Sequence, residues 1–300
     1  MKFKLLNNYF FASAILNSIS QIMLIESPFI GILFLIAIGF FSLKALLALL
    51  LGACIGTLIG LFHFQESEKT VKGLNGYNAA LSALAIAVFL DMPFWWGGSI
   101  LSAGMTTYFQ YLLAPWFEKR KIPIFTFPFV AISWGWILII HHFHWHIEAT
   151  EIVFHPQDFT QELIYALTLP FHQVFFGESR VSGGLIMLGI LFAGRHLFFK
   201  TLCCTLFCCV IWYLLGVDIQ FFHQGLFGFN PVLVGLALAV FLPSARFWKL
   251  IPFASLLCIW LQIILTDILN LWQLPAFTFP FVLTTWIVLG LNQLYDYNRK

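Results

Sequence analysis

The sequence predicts an all-α polytopic membrane protein made of two inverted repeats, each with five transmembrane helices plus one re-entrant or tilted half-helix. Three observations lead there. The composition is too apolar for a wholly wetted surface, three motifs recur at one offset, and matched loops carry opposite charge bias.

Of 300 residues, 61% are hydrophobic and 9% are charged, and the mean hydropathy is +0.91. Ordinary globular domains carry about 25% charged residues. So few charges cannot cover a chain of this size, and much of its exterior must meet something other than water. A transmembrane barrel would alternate polar and apolar residues over roughly ten-residue strands. Phe29–Leu43 and Val181–Phe192 show no such alternation. A net charge of +2 gives no reason to expect nucleic acid.

Lys2, Lys4, an apolar stretch and Ala12-Ser13-Ala14 imitate a signal peptide. The stretch runs on into Gln21, which has a repeat partner, so it is expected to be retained as the first span. The six cysteines sit in apolar runs, and Cys203-Cys204 with Cys208-Cys209 lacks zinc spacing, so they read as small buried or lipid-facing residues.

The repeat is legible directly. IPIFTFPFVAISW at Ile122–Trp134 returns as LPAFTFPFVLTTW at Leu274–Trp286, an offset of 152 residues from Thr126 to Thr278. The same offset joins GLNGYNAALSALAIAVFL at Gly73 to GLFGFNPVLVGLALAVFL at Gly225, and Gln21 to Gln173. Residues 1–146 form the first repeat, 147–162 a linker and 163–300 the second. Apolar segments lie near 9–24, 28–43, 45–63, 74–90, 95–116 and 122–142, then near 163–176, 181–199, 201–216, 225–242, 246–268 and 274–294. A perpendicular span needs about 20 residues. The Gly-rich 74–90 and 225–242 segments are shorter and read as the re-entrant pair.

Lys and Arg favour cytoplasmic loops. Lys2 and Lys4 precede the first copy, whereas Glu148, Glu151, Asp158 and Glu162 precede the second. Lys119, Arg120 and Lys121 lead into the first threonine phrase, and Asp267 and Gln273 into the second. Asp91 follows the first Gly-rich segment, Arg246 and Lys249 its partner. Opposite bias means opposite orientation and an odd number of spans per copy, with both termini cytoplasmic. Arg195 and Lys200 run against this bias.

Within the phrase Phe-Thr-Phe-Pro-Phe, Pro128 and Pro280 lack an amide hydrogen and each would free a carbonyl in a kinked helix. Such groups are tolerated in hydrocarbon only against other protein or a wet cavity. An isolated threonine there would bond back to its own backbone. Repetition at inverted positions instead predicts a pseudo-twofold axis bringing Thr126 and Thr278 together. Gln21 and Gln173 are amides that act either as interhelical glue or as pore-facing groups. Asn78 and Asn230 are expected to fix a helix break, as caps do. Glu26 and Glu178 read as solvated mouth residues.

These motifs resemble the urea transporter family. Its Leu-Pro-x-x-Thr-x-Pro-Phe phrase stands at residues 122–129 and 274–281, its Gly-aromatic-Asn phrase at 76–78 and 228–230, and its Gln-Val or Glu-Val phrase as Gln21-Ile22 and Gln173-Val174. The resemblance covers nearly the whole chain. It implies a bacterial, channel-type homotrimer in the inner membrane with one pore per protomer, no cofactor and no enzyme activity. Gln21 and Gln173 would meet urea at two outer sites, and Thr126 and Thr278 would mark a central constriction. Leu24 with Phe229, and Phe176 with Tyr77, would form flat slots lined by Ile22, Val174, Leu81 and Leu233. Family slots are often phenylalanine-walled, so Leu24 and Tyr77 are departures, as is Ile122 for leucine.

The chemistry suits a neutral planar solute. Urea loses several hydrogen bonds on leaving water, each costing roughly 2–7 kcal/mol in an apolar medium if unreplaced. Carbonyls, hydroxyls and amides can replace them. The proposed pore motifs hold no Lys, Arg, Asp or His for ion coupling. The sequence has no phosphate-binding Gly-x-x-x-x-Gly-Lys-Ser/Thr loop either. Passive flow is expected. Two rival readings are a channel for ammonia or a short amide, and a metal-dependent membrane enzyme. The second would use His141, His142, His144 and His146 with Glu148, Glu151 and His155.

Overall fold

The computed structural model describes residues 8–90, 93–144, 159–216 and 225–298. Among them the regular elements are helical. In order these are α1 (Asn8–Gln21), α2 (Pro28–Phe41), α3 (Leu43–Leu58), the one-turn α4 (Ser67–Val71), α5 (Tyr77–Phe89), α6 (Trp95–Arg120) and α7 (Phe127–His142). Then come α8 (Phe159–Gln173), α9 (Arg180–Ala193), α10 (Arg195–Leu214), α11 (Phe229–Phe241), α12 (Ser244–Asn270) and α13 (Phe279–Tyr297). A π turn at Ile59–His63 prolongs α3.

The 152-residue offset recurs in the backbone. It carries both ends of α2 onto those of α9, both ends of α5 onto those of α11, and the starts of α3 and α7 onto those of α10 and α13. It also carries left-handed Leu24, Lys121, Phe125 and Gly73 onto left-handed Phe176, Gln273, Phe277 and Gly225. Local chemistry explains the breaks. Ser42 ends α2 by donating its amide to Ile38 and starts α3 by accepting the Ala45 amide on Oγ, 3.2 Å away. Gly194 breaks the chain at the equivalent point, so the break expected near residue 200 lies six residues earlier. Lys200 is therefore no loop charge. It lies buried inside α10 with Nζ 4.9 Å from the centre of the Phe247 ring. Lys2, Lys4, Asp91, Glu148, Glu151, Asp158 and most of the 147–162 linker lie outside the described residues.

Packing divides the chain into two compact units that are not the two sequence copies. One comprises Met1–Leu113, Pro128–Ile152 and Leu188–Ala193, and the other Ala114–Phe127, Val153–Met187 and Gly194–Lys300. In the first unit, α5 is buried without a break from Tyr77 to Ala87. Its 13 residues span about 20 Å at 1.5 Å per residue, short of the ~30 Å hydrocarbon core. Helix α3 approaches so closely that a Cβ on Gly52 would fall 2.5 Å from the Ala79 carbonyl oxygen. Two buried hydroxyls of α6 hold α5 from another side, Ser99 donating to the Ala83 carbonyl and Thr106 to Ser82 Oγ.

In the second unit, α11 is the enclosed short helix, packed against α8, α10, α12 and α13. Arg246 at the start of α12 grips Asp296 near the end of α13 through two 2.6 Å contacts, and Asn292 through a third at 2.9 Å. The outward surfaces remain apolar, with Phe40 73%, Leu112 72% and Leu214 76% exposed. Among the described residues, Leu43–His63, Arg195–Leu214 and Ser244–Asn270 are long and apolar enough to cross a membrane.

Candidate substrate site

The two threonine phrases are not proline-kinked helices. Helices α7 and α13 begin at Phe127 and Phe279, so Pro128 and Pro280 occupy the first turn, where no amide hydrogen is needed. The residues ahead of each helix are turn-like, with Phe125 (φ 49°) and Phe277 (φ 48°) left-handed. A non-glycine residue held there costs roughly 1–2 kcal/mol, and such strain persists only where surrounding contacts enforce it.

Those contacts are visible in the second unit, where the first phrase runs antiparallel to α13. Gln293 Nε2 donates to the Lys121 carbonyl (2.8 Å) and Trp286 Nε1 to the Pro123 carbonyl (2.8 Å). Phe125 meets Phe281 edge-on at 5.1 Å, and Phe127 lies 6.2 Å from Phe279. Thr126 Oγ1 and Thr278 Oγ1 are hydrogen-bonded at 2.6 Å, both nearly enclosed. Each threonine therefore bonds its repeat partner rather than its own helix. The pair uses one hydroxyl hydrogen internally, and a hydroxyl also carries lone pairs that can accept. Beside the same phrase, Ile122, Pro123, Phe241 and Leu289 line an open cavity of about 370 Å³, edged by Asn292 and Gln293.

Asn78 and Asn230 stabilise structure, but not as caps. Neither α5 nor α11 has a side-chain cap. Asn78 donates instead to Gln110 Oε1 of α6 (2.7 Å), and Asn230 to Gln262 Oε1 of α12 (2.9 Å). Gln110 and Gln262 in turn donate to the Leu74 and Leu226 carbonyls. Asn230 also donates to the Phe277 carbonyl and accepts the Phe281 amide, so it bridges α11 to the second threonine phrase. The sequence reading missed Gln110, Gln262, Phe125 and Phe277. The two glutamines had a usable signal, being amides in apolar helices at the same 152-residue offset.

The glutamine phrases close α1 and α8. Gln21 and Gln173 are the last helical residues, both half-buried. Their carbonyls accept the amides of Leu24 and Phe176, which share φ 57°. Phe176 lies edge-on to Phe277 at 5.8 Å, joining one expected slot residue to the threonine phrase. Leu24, Phe176 and Phe229 are half-buried, whereas Ile22, Val174, Leu81, Leu233 and Tyr77 are buried.

Glu26 is exposed as expected, but Glu178 is half-buried and Gln173 Nε2 lies 3.4 Å from its Oε1. Burial raises the Glu178 pKa, with the Gln173 hydrogen bond opposing that rise. A carboxyl raised on folding adds stability below its unfolded pKa, and this is lost as pH rises through the folded one. Glu178→Gln is expected to gain thermal midpoint relative to the parent as pH rises through and above the glutamate range. Parallel profiles would contradict the burial.

His141 and His142 end α7 and His144 follows it, while His146, Glu148, Glu151 and His155 lie outside the described residues. Among the described residues no three His, Cys, Asp or Glu side chains converge as a metal site.

The sequence model of one family, the urea transporters, matches residues 12–293. Urea transporter 1 of Ovis aries is 25% identical over 296 residues, covering 94% of this chain and 77% of that protein. Urea transporter 1 of Rattus norvegicus is 26% identical over 299 residues, with the same two coverages.

Proposed function

The chain belongs to the urea transporter family, an integral membrane family that carries urea, and we propose that it does so as a passive channel. The pore runs where two inverted repeats, residues 1–146 and 163–300, meet. Gln21 and Gln173 receive urea at the two ends, and the Leu24–Phe229 and Tyr77–Phe176 slots admit its flat form past Ile22, Val174, Leu81 and Leu233. Thr126 and Thr278 form the constriction between the slots. The working assembly is a homotrimer in a bacterial inner membrane, with both termini cytoplasmic.

The observation that carries this reading is the 2.6 Å bond between Thr126 Oγ1 and Thr278 Oγ1. A bond between equivalent atoms of repeat-related residues is what a twofold axis produces on itself. At that point a dehydrated solute meets hydroxyls, and the left-handed turns just ahead leave carbonyls outside any helix. These groups can replace hydrogen bonds that urea surrenders, which no apolar wall could do. They carry no charge to hold an ion. The Urea transporter 1 relatives agree on the solute by name.

Osmotic shrinkage of proteoliposomes in a urea gradient, with and without a membrane potential, tests the proposal. Saturable, voltage-independent urea flux well above protein-free vesicles is expected. Flux equal to empty vesicles would sink it, and voltage dependence would replace passive flow by ion coupling. Parallel runs with ammonia and acetamide separate the neighbouring solute readings.

A further inference from the structure

Each copy closes the turn after its glutamine with the side chain just ahead of that glutamine. In the first copy the Ser27 amide donates to Ser20 Oγ at 3.2 Å. In the second the Ser179 amide donates to His172 Nδ1 at 2.9 Å. The backbone positions are repeat-equivalent, but a hydroxyl has become an imidazole. The extra volume is matched five residues on, where buried Ile25 of the first copy corresponds to Gly177 of the second. A Cβ on Gly177 would lie 2.1 Å from His172 Cε1 and 2.3 Å from Nε2. No rotamer of a larger residue escapes that overlap while the ring stays. The buried ring of His172 thus occupies space at residue 177 that a side chain would otherwise claim. His172–Gly177 is one packing solution and Ser20–Ile25 the other.

The clasped turn carries Gln173, Val174 and Phe176, with Phe176 held left-handed and edge-on to Phe277. Nδ1 serves as an acceptor, so the proton of the neutral ring sits on Nε2. We propose that His172 is a positioning residue for urea. By clasping Ser179 and wedging against Gly177, it sets where Gln173 and Phe176 stand, and so the fit of solute at that mouth. A planar ring bonded at one nitrogen and packed on a bare glycine holds this turn differently from a serine hydroxyl. The two mouths therefore differ in how tightly they accept the solute. This inference rests on the channel reading above.

The test measures urea and thiourea flux against concentration in proteoliposomes, with thermal midpoints in detergent as a folding control. His172→Ala and Gly177→Ala are each expected to raise the half-saturating urea concentration about fivefold, the equivalent of one lost net hydrogen bond, and to shift the urea-to-thiourea ratio. Maximal flux should change less. His172→Asn, whose Oδ1 can accept the Ser179 amide in place of Nδ1, should stay within about twofold of the parent. The paired change His172→Ser with Gly177→Ile, copying the first repeat, should be less impaired in half-saturation than His172→Ser or Gly177→Ile alone, while keeping a urea-to-thiourea ratio distinct from the parent's. Unaltered half-saturation and ratio in His172→Ala, with the parent conducting, would overturn the positioning role. So would a paired variant as impaired as the worse single one. If the alanine variants do not fold, His172→Asn and the pair decide alone, and impairment in both overturns it. A parent no faster than empty vesicles would defeat the channel reading instead, and this inference with it.

Discussion

Replacing Thr126 and Thr278 together by valine is expected to cut urea flux by about two orders of magnitude, at roughly tenfold per hydroxyl. Valine keeps the shape of threonine and removes only the hydroxyl. A solute crossing the constriction then loses the two hydroxyls that would replace water, and only carbonyls of the adjoining turns remain to it. The single variants should fall by less than the square root of the double, because each retains one hydroxyl freed from its 2.6 Å partner and able to turn towards urea. That non-additivity is the signature of a shared site. Folding should survive, since two matched methyl groups leave no orphaned hydroxyl behind. Full flux in the double variant would reduce the pair to packing.

The second large effect is on stability. Asn230→Leu should lower the thermal midpoint in detergent by about 10 °C, or 2–5 kcal/mol on the scale of soluble domains. The change leaves the Phe281 amide, the Phe277 carbonyl and Gln262 Oε1 without the partners they now have. Loss of a hydrogen bond at a buried backbone group costs about 1–3 kcal/mol, and half-buried Gln262 adds less. Gln262→Leu should cost less, because Asn230 keeps its two bonds to the threonine phrase. Equal losses in the two variants would mean that the α11–α12 bond, not the phrase, is what Asn230 supports.

Much of the architecture is legible in the chain. Several helix limits fall close to the apolar segments because local chemistry marks them, such as Ser42 between α2 and α3 or the proline in the first turn of α7 and α13. Where the reading slipped, a local signal was outweighed by a distant partner. Lys200 looked like a loop charge, and only the Phe247 ring explains its place in α10. Glu178 looked solvated beside a serine and an arginine, and only the turn that half-buries it against Gln173 says otherwise.

The doubling, the apolar exterior and the identity of the paired polar residues belong to the sequence alone, because composition and a constant offset are properties of the string. What each polar group bonds belongs to the tertiary structure. Asn230 read as a cap and is instead a bridge to the second threonine phrase. Phe125 and Phe277 carried no mark of a left-handed backbone. The compact units cut across the copies, with residues 114–127 of the first packing among residues of the second. Burial is written in hydrophobicity, which a sequence shows. The partner of a buried amide or hydroxyl depends on which distant segment comes within 3 Å, and no local pattern specifies that distance.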